Sequence, residues 1–353
     1  MTERAPAIVL GGTGYVAGEL LRLLAGHPRL AVAAILSDSQ PGAAVAAAFP
    51  HLRAAYPELT FSGLDEIESL LRRTPRSALF SAAPHGVAAG IIDRLLTAAE
   101  TAGTQTHCVD ISADFRYASA DAYESVYKHA HGAPSRIRQF TCAVPEHLSR
   151  SPTPHVSHPG CFATATLLAS VPLLALGLTD TRLFVTGITG STGSGRRPSE
   201  GTHHPQRHSD LYSYGALSHR HVPEIAACAK IATGVAAEFN FVPHSGPFVR
   251  GIHVTVQASL VKPISSAEAQ EALAAFYKDC RFVRVVDGAP RVKDVATSNY
   301  SNLSAVTNGT SIAVMSVLDN LNKGAAGGAV QWMNRLLGFD ESLGLLAPAP
   351  GWT

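Results

Sequence analysis

The sequence is poor in the features that specialised binding proteins need. Its 28 Lys and Arg balance 27 Asp and Glu, so the formal charge of +1 provides no electrostatic footprint for nucleic acid or an anionic membrane. Charged residues make up only 16% of the chain and hydrophobic ones 46%, which excludes disorder. The cysteines, Cys108, Cys142, Cys161, Cys228 and Cys280, form an odd set without C-x-x-C spacing and support neither a disulfide framework nor a zinc site. No metal is expected. The longest apolar run, about residues 167–178, is broken by Pro172 and falls short of the roughly 20 residues of a bilayer span. Residues 1–6 do not read as a secretory signal, and the apolar segment after them reads as a first strand. A soluble, cytoplasmic protein is the expectation.

What is present is enough apolar sequence for about two domains in 353 residues. Apolar strands at 7–10, 31–36, 78–82 and 107–111 alternate with helical spacing at 19–24 and 90–103. That pattern predicts an α/β domain with a Rossmann-like, doubly wound parallel sheet. From about residue 158 a long helical segment is followed by a glycine- and histidine-rich stretch (190–221) and then by strands such as 239–242 and 252–260. In the last of these, His253, Thr255 and Gln257 alternate with Val254, Val256 and Ala258, as in an antiparallel sheet with one solvated face. The expected division is a dinucleotide-binding domain at 1–157, completed by a C-terminal helix within 322–353, and an α+β catalytic and oligomerisation domain at 158–321. Small residues from Ala325 to Ala329 would let a helix at 323–337 pack closely on the first domain. The site is expected where the halves meet.

Residues 8–18, IVLGGTGYVAG, are a strand feeding Gly11, Gly12, Thr13, Gly14, Tyr15 and Val16 into a helix. Glycines let backbone approach a pyrophosphate, and a helix N-terminus offers it N–H groups. The plain alternative, a tight turn using glycine for positive φ, does not account for the strand-turn-helix context. After the second strand, the hydroxyls of Ser37 and Ser39 suit a ribose 2′-phosphate, whereas Asp38 between them suits a 2′-hydroxyl. Cys161 lies in SHPGCFATAT, at the opening of the long helix, where the dipole stabilises a thiolate. A thiolate can carry an acyl group as a thioester for a nicotinamide to reduce. The other cysteines read as buried hydrophobes. His219, Arg220, His221 and Glu224 gather in six residues and suit proton transfer near neutral pH, with Glu224 orienting an imidazole. A metal site would also use histidines, but no H-E-x-x-H accompanies them. Arg196, Arg197, Arg207 and Arg220 suggest recognition of carboxylate or phosphate.

In order along nearly the whole chain, GGTGY, AAPHG, VDISADFR, AVPEH, HPGC, TGSTGSGR, HRHVPEI, RGI, SNY and LDNLNKGAAGGAVQWMN resemble the N-acetyl-γ-glutamyl-phosphate reductases. These are acyl-phosphate reductases related to aspartate-semialdehyde dehydrogenase. The resemblance implies NADPH-dependent reductive dephosphorylation in arginine biosynthesis, Cys161 as nucleophile, His219 as acid and base with Glu224 as its partner, Pro84, His85 and Gly86 as a second cofactor loop, and Asn320 at the nicotinamide. It also implies a homodimer or homotetramer. An acyl-glutamyl phosphate needs two cationic contacts, for which Arg116 and either Arg207 or Arg220 are the candidates; Arg116 could instead brace its loop through Asp110 or Asp114. The chain departs from the pattern at His158, where Asn is usual, at Gly12 for a usual Ala, and at Ala17 for a usual Gly. His203, His204, Pro205 and Arg207, together with Tyr300, resemble a relative that acts on substrate carried by an amino-group carrier protein in lysine biosynthesis. Carrier-bound glutamyl or aminoadipyl phosphate, or an N-succinyl analogue, are therefore the alternatives to the N-acetyl substrate.

Overall fold

The structure, a computed structural model, describes residues 4–351, which divide into two compact units. The first comprises residues 4–142, Arg150–His158 and Ala326–Leu345. Its strands are β1 (Ala5–Leu10), β2 (Leu30–Ile35), β3 (Arg76–Ser81), β4 (Gln105–Asp110), β5 (Phe140–Cys142) and β6 (His155–Ser157), in the order β2-β1-β3-β4-β6-β5. All pairings are parallel. Strand β1 is wholly apolar and β3 apolar at its centre, Ala78 to Phe80, because a parallel sheet is covered on both faces, and Ile8, Leu10 and Leu79 are completely buried.

The Ala88–Ala102 helix contributes Ile92, Leu95 and Leu96 to that core, beside Cys108 and Phe115. Burial pushes the Cys108 thiol well above its ordinary range, so it is the inert hydrophobe expected. The Gly327–Leu336 helix packs on β4 and on the Tyr15–Ala25 helix, with Trp332 and Met333 fully buried. His27 fastens it. Its Nδ1 accepts the Leu30 N–H at 2.9 Å, so Nε2 carries the proton and donates to Asn334 Oδ1 at 3.0 Å.

The second unit comprises Ala143–Ser149, Pro159–Ala325 and residues 346–351. The assignment of Ala143–Ser149 and of the last residues differs from the sequence expectation, which placed both with the first domain. Its strands are β7 (Arg182–Thr189), β8 (Tyr212–Ser213), β9 (Glu238–Ser245), β10 (Ile252–Ser259), β11 (Val283–Val285), β12 (Ser301–Thr307) and β13 (Ser311–Leu318), ordered β11-β12-β13-β10-β7-β9-β8. This sheet is mixed rather than antiparallel. β7 pairs with β9, and β11 with β12, in parallel; the other pairs are antiparallel. The strand from which the antiparallel expectation was argued, β10, is antiparallel to both of its neighbours, but alternation along one strand says nothing of the directions of the others. The Val222–Thr233 helix lies in the connection between β7 and β9, as a parallel pair requires.

The Cys161–Ala175 helix packs on β7, β10 and β13 and against the Val222–Thr233 helix. It is apolar all round, and Phe162 to Leu174 are buried without a break. The helix expected at 323–337 begins later. Asn322–Ala326 form a π-helical turn, and the α-helix starts at Gly327.

Candidate active site

In the first unit, β1 ends in a turn that only glycine can make. Gly11 has φ +78°, and a Cβ there would lie 2.4 Å from the Ala82 carbonyl oxygen. A Cβ on Gly12 would lie 2.7 Å from Ile35 Cγ2. These contacts hold the turn against the ends of β2 and β3. The Tyr15–Ala25 helix has Gly14 as its N-cap, which has no side chain to cap it, and no acidic residue in its first turn. An N-terminus of this kind suits an anion.

The loop of Pro84, His85 and Gly86 is exposed and opens the Ala88–Ala102 helix, whose N-terminus is filled instead. The buried Asp114 carboxylate accepts the N–H groups of Gly86 at 2.7 Å and Ala89 at 2.9 Å, and the Tyr123 hydroxyl at 3.0 Å. Of these two helix N-termini, the first has no side-chain cap and the second is held by a carboxylate. Beyond β2, Ser37 is buried, with its hydroxyl 3.5 Å from that of Ser39, while Asp38 and Ser39 are exposed.

Arg116 is buried and donates from Nε to the His158 carbonyl at 3.0 Å and from Nη2 to that of Ile111 at 2.7 Å. Asp110 accepts from Ser112, and Asp114 caps its helix. His158 is fully buried, and its N–H donates to the Asp110 carbonyl at 2.7 Å.

In the second unit, Cys161 is the first residue of its helix, with Gly160 as N-cap. The Gly160 N–H donates to Glu224 Oε1 at 2.8 Å, and Glu224 is completely buried. A Cβ on Gly160 would sit 2.5 Å from His221 Nε2, so this imidazole rests on the turn that presents the thiol. His219 stands behind it, with ring centroids 4.7 Å apart, and packs against Phe162, Tyr214 and Phe241. Burial, and after it the Arg220 charge, lower the His219 pKa to about 4. Its Nδ1 accepts the His221 N–H at 3.3 Å, so the neutral ring carries its proton on Nε2. Tyr214 was missed in the sequence. Burial first, and then the Cys161 charge, push its hydroxyl up, which places it within electrostatic reach of the thiol. No local motif marks it, because β8 and β9 bring it in: its N–H bonds the Pro243 carbonyl.

The remaining candidates do structural work of their own. Asn320 Oδ1 accepts the Gly251 N–H at 2.6 Å and its Nδ2 donates to Thr192 Oγ1 at 3.0 Å, joining two loops of the second unit. Arg207 is buried, donates to the Asp210 carbonyl at 2.9 Å and lies over the Tyr212 ring. Arg220 is exposed. Among the described residues, no three His, Cys, Asp or Glu side chains are grouped to hold a metal, and no helix is long and apolar enough to cross a membrane.

Two family models match, the NAD-binding domain of semialdehyde dehydrogenases at residues 6–151 and their dimerisation domain at 161–320. N-acetyl-γ-glutamyl-phosphate reductases from Pseudomonas fluorescens and Pseudomonas aeruginosa are 38% and 37% identical to this chain over 96% of each protein. The chain belongs to the N-acetyl-γ-glutamyl-phosphate reductase family. Among solved structures, aspartate semialdehyde dehydrogenase II from Vibrio cholerae, in complex with ASA, superposes with a TM-score of 0.67 at 15% identity, covering 96% of this chain and 99% of that one. The enzyme from Candida albicans, with NADP, gives 0.67 at 15% identity, covering 95% and 99%. At such identities the likeness is one of fold.

In this reductase-family chain the Gly160 to Glu224 bond is open to a direct test. Glu224→Ala would leave a buried N–H without its acceptor, at a cost of about 1–3 kcal/mol, whereas Glu224→Gln keeps an oxygen in place. Thermal melts should show a clear loss for Glu224→Ala and recovery of most of it in Glu224→Gln. Equal losses would mean that the negative charge, and not the hydrogen bond, holds the turn.

Proposed function

We propose that the protein reduces N-acetyl-γ-glutamyl phosphate to N-acetylglutamate 5-semialdehyde with NADPH, through a thioester on Cys161. The observation that carries this reading is a cysteine at a helix N-terminus, flanked by two imidazoles and a buried carboxylate, in a chain with an uncapped glycine turn of dinucleotide type. The names of the relatives favour the free N-acetyl substrate over a carrier-bound one.

Gly11 to Val16 would hold the pyrophosphate, and Pro84, His85 and Gly86 would form the second edge of the cofactor site. The Ser37 and Ser39 hydroxyls favour NADP, since the exposed Asp38 can turn away from a 2′-phosphate. When bound, the nicotinamide supplies the hydride that reduces the thioester. Asn320 contributes by fixing the loops at Thr192 and Gly251.

The Cys161 thiolate, stabilised by its helix, attacks the acyl carbon, and phosphate leaves with the electrons of the broken C–O bond. After reduction, the thiohemiacetal oxyanion collapses to aldehyde and the C–S bond returns its electrons to Cys161. His219 was expected to move the proton. Its low pKa and Nε2–H tautomer suit it instead to donate a hydrogen bond to the acyl oxygen as charge develops there, while His221, lying on the Gly160 turn, suits exchange of the thiol proton. Glu224 holds the turn. Arg220 and Arg207 are the candidate substrate cations of the second unit, Arg207 having its Nε and Nη2 buried without a hydrogen-bond partner, while Arg116 braces backbone through the His158 and Ile111 carbonyls.

The assay is phosphate-dependent reduction of NADP, and separately of NAD, with N-acetylglutamate semialdehyde. Turnover should be faster with NADP, and Cys161→Ser should abolish it along with the acyl adduct seen by mass spectrometry. A Cys161→Ser enzyme at wild-type rate would sink the mechanism, and failure of the free semialdehyde would sink the substrate.

The two histidines should separate by pH. His219→Phe should lower kcat by roughly 10²-fold at every pH, because a group titrating near 4 gives no limb near neutrality. His221→Asn should remove the neutral limb. Loss of that limb in His219→Phe would reverse the assignment.

We also propose a homodimer. The sheet face of β7, β10 and β12 leaves Phe184 52% and Val306 49% exposed, around a pocket that Gln257 and Ser311 complete, and it lies in the segment matched by the dimerisation domain. Light scattering should give twice the chain mass for wild type and the monomer mass for Phe184→Glu; an unchanged mass would place the interface elsewhere.

A further inference from the structure

The mechanism leaves unused a buried ion pair in the second unit. Lys323 Nζ lies 2.6 Å from Glu146 Oε1, with the two side chains 0% and 1% exposed. The ammonium also lies 5.7 Å from the centre of the Phe282 ring. Isolated buried charges of this kind are costly, and removing one partner alone leaves the other uncompensated.

The pair lies between a turn that packs on Cys161 and a segment tied, through Tyr277, to the helix that Cys161 begins. Lys323 belongs to the π-helical turn Asn322–Ala326, in which the Gly324 N–H reaches back to the Asp319 carbonyl at 2.9 Å. The next residue, Gly324, packs on the cysteine itself. A Cβ on it would lie 2.8 Å from Cys161 Cβ and 3.1 Å from Cys161 Cα. On the other side, His147 follows Glu146, and its Nε2 meets the Tyr277 hydroxyl at 2.8 Å. Burial first lowers the His147 pKa, to about 4, so the neutral ring can donate through Nε2. Tyr277 in turn donates to the Leu168 carbonyl, at 2.8 Å, within the Cys161–Ala175 helix. Residues 146–147 thus grip the π-turn through a salt bridge and the nucleophile's helix through a tyrosine. π-Turns interrupt regular helix at some cost and concentrate at functional sites.

We propose that Lys323 and Glu146 are positioning residues, whose buried ion pair holds the π-turn so that Gly324 fixes Cys161 at the head of its helix. This rests on Cys161 being the nucleophile. The pair touches no reacting atom. It sets where the thiol points, so its removal should lower turnover without changing how tightly substrate binds or how readily a small reagent finds the sulfur.

The test replaces both charges with neutral groups of similar shape, Lys323→Met with Glu146→Gln, because a double replacement avoids leaving one charge buried. A second variant, Gly324→Ala, disturbs the contact with Cys161 and leaves the ion pair intact. Both are assayed with NADP, phosphate and N-acetylglutamate semialdehyde, and both are alkylated with iodoacetamide and melted. The expected result in each is a kcat about 10- to 100-fold below wild type, the effect of a reacting atom misplaced by about 1 Å, with KM and the Cys161 alkylation rate within about twofold. A kcat within about twofold of wild type in the folded variants overturns the proposal. So does a fall in kcat that is matched by slower alkylation or a raised KM, since the pair would then act on ionisation or on the general fold. If that double variant does not fold, Lys323→Gln with Glu146→Gln, which keeps a neutral hydrogen bond in place of the ion pair, is judged by the same criteria. Wild-type enzyme that keeps its turnover after alkylation at Cys161 would remove the underlying assignment of the nucleophile, an outcome distinct from failure of the two variants.

Discussion

The peptide N–H of Gly160, donated to a carboxylate with no exposure to water, is the constraint around which the second unit is arranged. A carboxyl group buried this completely must be hydrogen-bonded, since an unpartnered one would be costly. It accepts a hydrogen bond from the peptide that begins the helix, which fixes the N-cap and therefore the direction of the first helical N–H groups. The Val222–Thr233 helix must start where it does to deliver Glu224, and His221 as its N-cap must then lie on the same turn. Gly160 is glycine because the imidazole occupies the place of its Cβ. One hydrogen bond thus couples two helices, Cys161 and a histidine.

The first unit uses the same physics with the opposite outcome at its two helix N-termini. Asp114 closes the Ala88–Ala102 helix with two backbone hydrogen bonds, which also fix the exposed loop before it. The Tyr15–Ala25 helix has a glycine N-cap and no acid in its first turn. An acidic cap there would stabilise the protein by about 1 kcal/mol, a contribution that this helix forgoes.

The difference between these two termini shows how far sequence could reach. The glycine turn was legible, since strand, glycines and helix are adjacent in the chain and each has a local signature. Cys161 was legible for the same reason. What was not legible depended on residues far apart: Glu224 reaches across 64 positions to Gly160, Tyr214 arrives through the pairing of β8 with β9, and the mixed order of the second sheet follows from a crossover that alternation cannot report. Arg116 and Asn320 show a further limit. A motif can mark a residue as indispensable without revealing whether it faces the ligand, and here both make backbone hydrogen bonds that shape loops.

The two imidazoles of HRHVPEI show how much spacing alone leaves unsaid about the surroundings of neighbouring residues. In an extended strand, residues two apart share a face and are interchangeable; here the chain turns into a helix at His221, and the two rings meet edge to face. Their environments then diverge. His219 is enclosed by Phe162, Tyr214 and Phe241, and the charge of Arg220 adds to the cost of protonating it. A ring that stays neutral, with its one lone pair occupied by a backbone N–H, can only donate. His221 lies against glycine backbone, and its Nε2 points at the turn before the thiol. The helix start at His221 thus sets two imidazoles two residues apart in different surroundings, one enclosed by aromatic rings and kept neutral, the other laid against the turn before Cys161.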